Sequence, residues 1–170
     1  MIDYLYGTDF EGTTYDGRDF STIYALIDPK YPAIPRYIGH SDSGVEYRMA
    51  KHITESLEGG KMRIVNLKQR WIRGLFSMGR QPQIKVIYSS MNPKYDVNDM
   101  EAHLINQYYQ WSCNGTSRGD ERIEHELKST KVQKMVEFLR VQVKKAGLLL
   151  PEELDSKDNL GKAYPGILPD

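Results

Sequence analysis

Three stretches of the chain are rich in β-branched and aromatic residues in the pattern typical of β-strands; they lie at residues 22–27, 34–38 and 84–88. A proline-rich turn joins the first two stretches, which predicts a hairpin. The second strand is expected to stop at Gly39 and to lie at a sheet edge, because Pro35 has no N–H to donate to a ladder.

Apolar residues recurring every three or four positions predict four helices, at about residues 44–56, 62–78, 97–111 and 121–146. Ser43 and Glu46 fit a capping box at the start of the first helix. The order of strands and helices predicts an α+β fold, a small three-stranded antiparallel sheet flanked by helices with an extra long C-terminal helix.

The chain is expected to form one domain with short additions at its ends. We expect an N-terminal extension, a core, a C-terminal helix packed on that core, and an extended tail; these are residues 1–20, 21–119, 120–147 and 148–170. No stretch is long and apolar enough to span a membrane, and the first residues are acidic. A cytoplasmic protein is therefore expected.

Charge is distributed unevenly although the formal net charge is zero. Residues 36–94 hold eleven basic and four acidic side chains, and residues 59–94 hold no acidic one. Such a local excess of cations favours a polyphosphate partner, although a solvated basic helix face explains it equally well. The predicted second helix and its flanks carry the cations that we expect to contact DNA phosphates, namely Arg63, Lys68, Arg70, Arg73 and Arg80.

Chemistry-bearing residues follow the predicted strands and helices in a definite order. Thr22-Ile23-Tyr24 is followed, thirteen residues after its tyrosine, by Tyr37-Ile38-Gly39, and the next helix carries Arg48 and His52 in an R-x-x-x-H spacing. Farther along are Glu101 in a later helix and Asn114 before a loop with Thr and Gly. This order over residues 21–119 resembles the GIY-YIG nucleases, a family of homing endonucleases, restriction enzymes and a repair incision domain.

The resemblance implies a metal-dependent DNA endonuclease that hydrolyses phosphodiester bonds. Glu101 would bind a single Mg²⁺ or Mn²⁺, and the absence of a nearby acidic pair disfavours a two-metal mechanism. Arg48 would grip the scissile phosphate as a permanently charged, bidentate donor. A carboxylate and an arginine thus offer the two charges that phosphodiester hydrolysis requires.

The tyrosines would share the remaining work. Tyr24 would activate the water and Tyr37 would orient it or the phosphate, with the division between them open. The free pKa of tyrosine is about 10, so a base of this kind needs a nearby cation to lower it. His52 would assist by hydrogen bonding, and Asn114 would pin its loop or bind a phosphate.

Two positions depart from the family pattern. Thr22 replaces the usual glycine, and His40 stands where many members have lysine or another polar residue after the YIG motif. His40 is either a phosphate contact, a proton shuttle or an exposed bystander. We assign no function to His103, His125 or Cys113, whose spacing fits no zinc site.

Simpler interpretations and other functions stay open at this point. Each motif residue alone is also explained as a strand aromatic, a surface charge or a helix-dipole acid. The chain can equally be a nucleic-acid-binding module that lacks activity, or an interaction protein that dimerises through the apolar stripe of its long C-terminal helix. No sequence-reading motif follows the core, so specificity would come from its loops, a homodimer or a partner protein.

Overall fold

The computed structural model describes residues 20–58, 66–114 and 129–154. In this part of the chain, three strands and five helices follow one another as β1 (Ser21–Ile27), β2 (Tyr37–Ser41), α1 (Val45–Glu58), α2 (Leu67–Ser77), β3 (Gln83–Ser90), α3 (Val97–Gln107), α4 (Thr130–Lys145) and α5 (Pro151–Leu154). The predicted α+β class with a three-stranded antiparallel sheet and several helices is confirmed.

Strand β1 lies at the centre of the sheet, with β2 on one side and β3 on the other, both antiparallel to it. The predicted hairpin and the edge position of the second strand are confirmed. Its predicted bounds are wrong, because β2 begins at Tyr37 and continues past Gly39 to Ser41. Pro35 precedes the ladder, where its missing N–H costs nothing.

Alternate residues of β1 point to opposite faces of the sheet and pack against different helices. Tyr24 and Leu26 join a core with Trp71, Ile72 and Leu75 of α2. The other face, which holds Ile23, Ala25 and Ile27, forms a larger core; it also contains Met100, Leu104, Met135, Leu139 and Val143 from α3 and α4. The sheet is therefore covered by helices on both faces.

Helix α4 packs its apolar stripe against the protein itself. Met135, Leu139 and Val143 are buried, and α4 contacts both β3 and α3. This stripe is the feature that supported the dimerisation alternative, so over Thr130–Lys145 that alternative loses its argument. The predicted helical residues 121–128 lie outside the described part of the chain.

The prediction of an extended tail from residue 148 is wrong for its first seven residues. A turn at Gly147, which has a positive φ of 76°, leads into the short helix α5. Leu148 and Leu154 are buried in the larger core, and the carbonyl of Leu149 accepts a hydrogen bond of 2.8 Å from the Tyr108 hydroxyl. The burial of Leu148 and Leu154 removes apolar surface from water, which explains why residues 148–154 pack against the core.

Local signals explain where the helices begin. Asn66 caps α2 in a capping box with Gln69, so α2 begins at Leu67, five residues later than predicted. Helix α1 starts after Gly44, whose φ of 88° suits glycine, so Ser43 does not directly precede the helix as predicted.

Among the described residues, no helix is long and apolar enough to cross a membrane.

Candidate active site

Tyr24 lies on the sheet face that α2 covers, directly opposite Gly39 across the β1–β2 ladder. Its ring is fully buried. A Cβ atom added at Gly39 would come within 2.7 Å of the Tyr24 hydroxyl oxygen and 3.0 Å of the Tyr37 ring. The glycine of the YIG motif thus provides the space in which the two tyrosine rings meet.

His52 of α1 stands next to both tyrosines. Its Nε2 lies 2.8 Å from the Tyr24 hydroxyl oxygen, and its ring makes an edge contact with Tyr37 at a centroid distance of 5.2 Å. On the other side, the Nδ1 of His52 lies 2.9 Å from Nζ of Lys68, at the start of α2. The ammonium of Lys68 also lies over the Tyr37 ring, 5.0 Å from its centroid.

Burial controls the protonation of this cluster. It raises the pKa of Tyr24 to about 12, and the interaction with Arg48 lowers that pKa only in part. The expected lowering of the tyrosine pKa by a nearby cation is therefore not met at Tyr24. Burial, with the positive charge of Lys68 next in size, lowers the pKa of His52 to about 3, so its imidazole is neutral near pH 7.

Arg48 completes the cluster from α1, one helical turn before His52. Its positive charge lies close enough to the Tyr24 hydroxyl to lower the pKa of that group. Its Nε–H is buried and has no hydrogen-bond partner among the described residues. An unpaired buried donor costs about 1–3 kcal/mol, and a phosphate oxygen would remove that cost.

His40 and Glu101 form a second pair around the edge strand. His40 alternates with Gly39 along β2 and therefore points to the sheet face that α3 covers. Its Nδ1 lies 2.7 Å from a carboxylate oxygen of Glu101, whose side chain is buried. Burial raises the pKa of Tyr24 most, Tyr37 raises it further, and the negative charge of Glu101 adds a smaller rise. Glu101 is therefore within electrostatic reach of Tyr24.

Among the described residues, no three His, Cys, Asp or Glu side chains come together in a way that could hold a metal. The carboxylate of Glu101 is nevertheless the hard oxygen ligand that Mg²⁺ prefers, and Mg²⁺ commonly keeps most of its waters. The residues present therefore fit a metal held by one carboxylate of the chain, with water and phosphate oxygens supplying the remaining ligands.

Asn114 binds the backbone of strand β2. Its amide oxygen accepts from the Ile38 N–H at 3.0 Å, and its amide nitrogen donates to the Ile38 carbonyl at 2.8 Å. Of the two roles predicted for Asn114, this geometry supports pinning the chain, because both ends of the amide are engaged by Ile38.

The structure shows internal partners for Lys68, Arg73 and Arg80, which are among the cations predicted to contact DNA. Lys68 faces His52, Arg73 donates through Nε to the Ser56 carbonyl at 2.6 Å, and Arg80 forms a two-pronged pair with buried Asp28 at 3.0 Å for each bond. The predicted phosphate contacts of these three residues stay a prediction, and the structure adds an internal partner for each of them. Arg70 is exposed on α2, and Arg63 lies outside the described residues.

Sequence reasoning singled out most residues of the cluster but did not connect Lys68 with His52. Lys68 is the second residue of α2, and no motif connects it to a histidine sixteen positions earlier. The available signal was weak. It consisted of a lysine in the first turn of a helix, where the helix dipole disfavours a cation unless a partner compensates.

The comparisons with known proteins add no relative. No protein-family model matches the chain, and no curated protein or solved structure is detectably similar to it. Any function must therefore be argued from the residues and the geometry of this site.

Proposed function

We propose that this protein is a metal-dependent DNA endonuclease that hydrolyses phosphodiester bonds with a GIY-YIG-type site. The observation that carries the proposal is the meeting of Tyr24, Tyr37, Arg48 and His52 in one cluster, with Glu101 within electrostatic reach. These residues come from two strands and two helices. Surface charges and ordinary strand aromatics would have no reason to converge in this way.

Arg48 is the proposed phosphate ligand. Its unpaired Nε–H and its permanent charge suit an oxygen of the scissile phosphate, which becomes more negative in the transition state. Arg48 is close enough to Tyr24 to lower its pKa. A phosphate held by Arg48 would therefore lie beside the tyrosine hydroxyls.

The tyrosines are proposed to divide the work by their exposure. Tyr24 is fully buried with a pKa raised to about 12, which suits a neutral phenol that donates a hydrogen bond to the phosphate or the water. Tyr37 is only partly buried, on the edge strand, and is the tyrosine that solvent water reaches more readily. Tyr37 is therefore the better candidate to activate the nucleophilic water.

Glu101 is the residue that would hold the Mg²⁺ or Mn²⁺, oriented by its hydrogen bond with His40. A bound metal would supply Lewis-acid stabilisation of the charge that develops on the phosphate. The proposed DNA contacts beyond the scissile phosphate are Arg70, which is exposed on α2, and Arg63.

Cleavage of a supercoiled plasmid and of a labelled single strand tests this function, with Mg²⁺, Mn²⁺ or EDTA present. Wild type is expected to cut only with a metal, and Glu101→Gln and Arg48→Lys to lower the rate about 100-fold or more. Glu137→Gln and Arg140→Lys, on exposed positions of α4, are the matched controls. If no metal supports cutting while the protein binds DNA in a salt-sensitive way, the inactive binding module replaces the proposed endonuclease.

A further inference from the structure

Three polar side chains form a row that ends at the Tyr24 hydroxyl. The row starts with Lys68 Nζ on α2, passes through both ring nitrogens of His52, and ends at Tyr24 on β1, with gaps of 2.9 and 2.8 Å. His52 is 2% exposed, so its ring nitrogens have little access to water. The protons in this row must therefore be shared among the three side chains.

The charge of Lys68 decides the direction of the hydrogen bonds. A lysine ammonium has only donors, so Nδ1 of the neutral His52 must accept. The single imidazole proton then sits on Nε2, which donates to the Tyr24 oxygen. The positive charge of Arg48 also acts on this oxygen.

The Tyr24 oxygen therefore accepts a hydrogen bond from His52, and neither this donor nor the permanently charged Arg48 can receive the hydroxyl proton. A phenol has one O–H to donate, and here that O–H is left for a third partner. In the opposite arrangement, His52 would carry its proton on Nδ1 and would accept the Tyr24 O–H at Nε2. The hydroxyl would then be unavailable to any substrate.

We propose that Lys68 is a positioning residue that fixes the Nε2–H tautomer of His52 and so directs the Tyr24 O–H toward the bound phosphodiester or its attacking water. The role in the reaction rests on the proposed nuclease function, whereas the tautomer itself does not. The ammonium also lies over the Tyr37 ring, so this one side chain contacts both His52 and Tyr37. This role differs from the phosphate contact that sequence reasoning assigned to Lys68.

Histidine ¹⁵N NMR of the full chain tests the tautomer. Wild type is expected to show His52 with a protonated Nε2 and an unprotonated Nδ1. In Lys68→Met, the Nδ1–H tautomer is expected to appear, because the Tyr24 hydroxyl becomes free to donate to Nε2. Lys51→Met is the matched control, since Lys51 also places positive charge near His52 but lies on the exposed side of α1.

Two results would overturn the proposal. One is an Nδ1–H tautomer in wild type, which requires no variant to fold. The other is an unchanged His52 tautomer in Lys68→Met. Circular dichroism and the thermal unfolding midpoint establish that this variant is folded.

Cleavage assays then test the link to the reaction. Lys68→Met is expected to lower the turnover rate about 100-fold, Lys68→Arg to recover most of it, and Lys51→Met to leave it unchanged. If wild type cuts no nucleic acid, the proposed function fails and the NMR result still decides the tautomer. If wild type and Lys68→Met cut equally fast, the role of Lys68 fails and the nuclease stands.

Discussion

At the scale of single residues, the smallest side chain in the motif has the clearest physical reason to be there. Gly39 faces Tyr24 across the ladder, and a Cβ atom would lie 2.7 Å from the hydroxyl oxygen, closer than atoms tolerate. The Tyr24 ring is enclosed by the core that Trp71 and Ile72 help to form, so it cannot move aside without cost.

Gly39→Ala is therefore expected to displace the Tyr24 hydroxyl from His52, to destabilise the fold by about 1–3 kcal/mol, and to abolish cleavage. Urea unfolding measures the stability, and ¹⁵N NMR of His52 reports the lost hydrogen bond. Gly79→Ala is the control, because its Cβ meets no atom within 4 Å although its φ of +72° strains the backbone. A His52 spectrum unchanged in Gly39→Ala would contradict this account of the glycine.

The buried imidazole of His52 predicts a pH dependence of stability. Its pKa is lowered to about 3 in the folded chain, against about 6.5 when unfolded, so the folded state binds fewer protons between these values. This stability is fully present above pH 6.5 and is lost as the pH falls toward 3. Between pH 7 and 4.5, His52 should account for about 2 kcal/mol of lost unfolding free energy.

His52→Gln is expected to flatten that part of the pH profile, as measured by urea unfolding at several pH values. His103→Gln is the companion variant, since burial also lowers the pKa of His103. It should remove its own contribution and leave that of His52 intact. Identical profiles for wild type and His52→Gln between pH 6.5 and 4.5 would show that His52 is not held neutral.

At the scale of elements, Asn114 holds strand β2 on its outer side. The strand pairs with β1 along one edge, and the Asn114 amide supplies both a donor and an acceptor to Ile38. This contact positions the strand that carries Tyr37 and His40. Asn114 thus acts on the candidate site through the backbone.

Asn114→Ala should lower stability by about 1–3 kcal/mol, because two backbone groups of Ile38 lose their partner. Hydrogen exchange should show faster exchange of the Ile38 amide. Asn98→Ala, at an exposed position of α3, is the control. Unchanged exchange at Ile38 would contradict the pinning role.

Arg80 ties the end of α2 to the end of β1 through Asp28, which is 2% exposed. Arg80→Ala leaves this carboxylate buried without its cation and is expected to lower the free energy of unfolding. Asp28→Asn with Arg80→Ala should recover part of the loss. Arg140→Ala, which removes an exposed pair with Glu152, should cost under about 1 kcal/mol in the same unfolding assay. Equal losses for the two arginines would rule out a structural role of this kind for Arg80.

At the scale of the whole molecule, local patterns predicted the sheet, its hairpin and the existence of the main helices. Alternation in β1 and the apolar spacing in α1 and α3 are local properties that the chain shows directly. The docking of residues 148–154 was missed because Leu148 and Leu154 gain their burial from distant parts of the core. Short apolar pairs near prolines carry no periodic signal.

The candidate site was predictable where its residues stand in a motif and unpredictable where a contact crosses the fold. Tyr24, Tyr37, Arg48 and His52 follow the motif order, and the structure places them together. Lys68 and Arg80 were assigned to DNA from charge alone. Their partners, His52 and Asp28, are sixteen and fifty-two positions away, beyond the reach of local patterns.

The most direct test is to incubate the protein with a DNA duplex and Mg²⁺ in ¹⁸O-labelled water. Mass spectrometry then gives the mass of the newly formed DNA ends. Hydrolysis by an activated water predicts one ¹⁸O in each new terminal phosphate, with cutting lost in Glu101→Gln. Unlabelled ends, a tyrosine-linked DNA product, or no cutting with any divalent metal would contradict the claim that this cluster is a hydrolytic nuclease site.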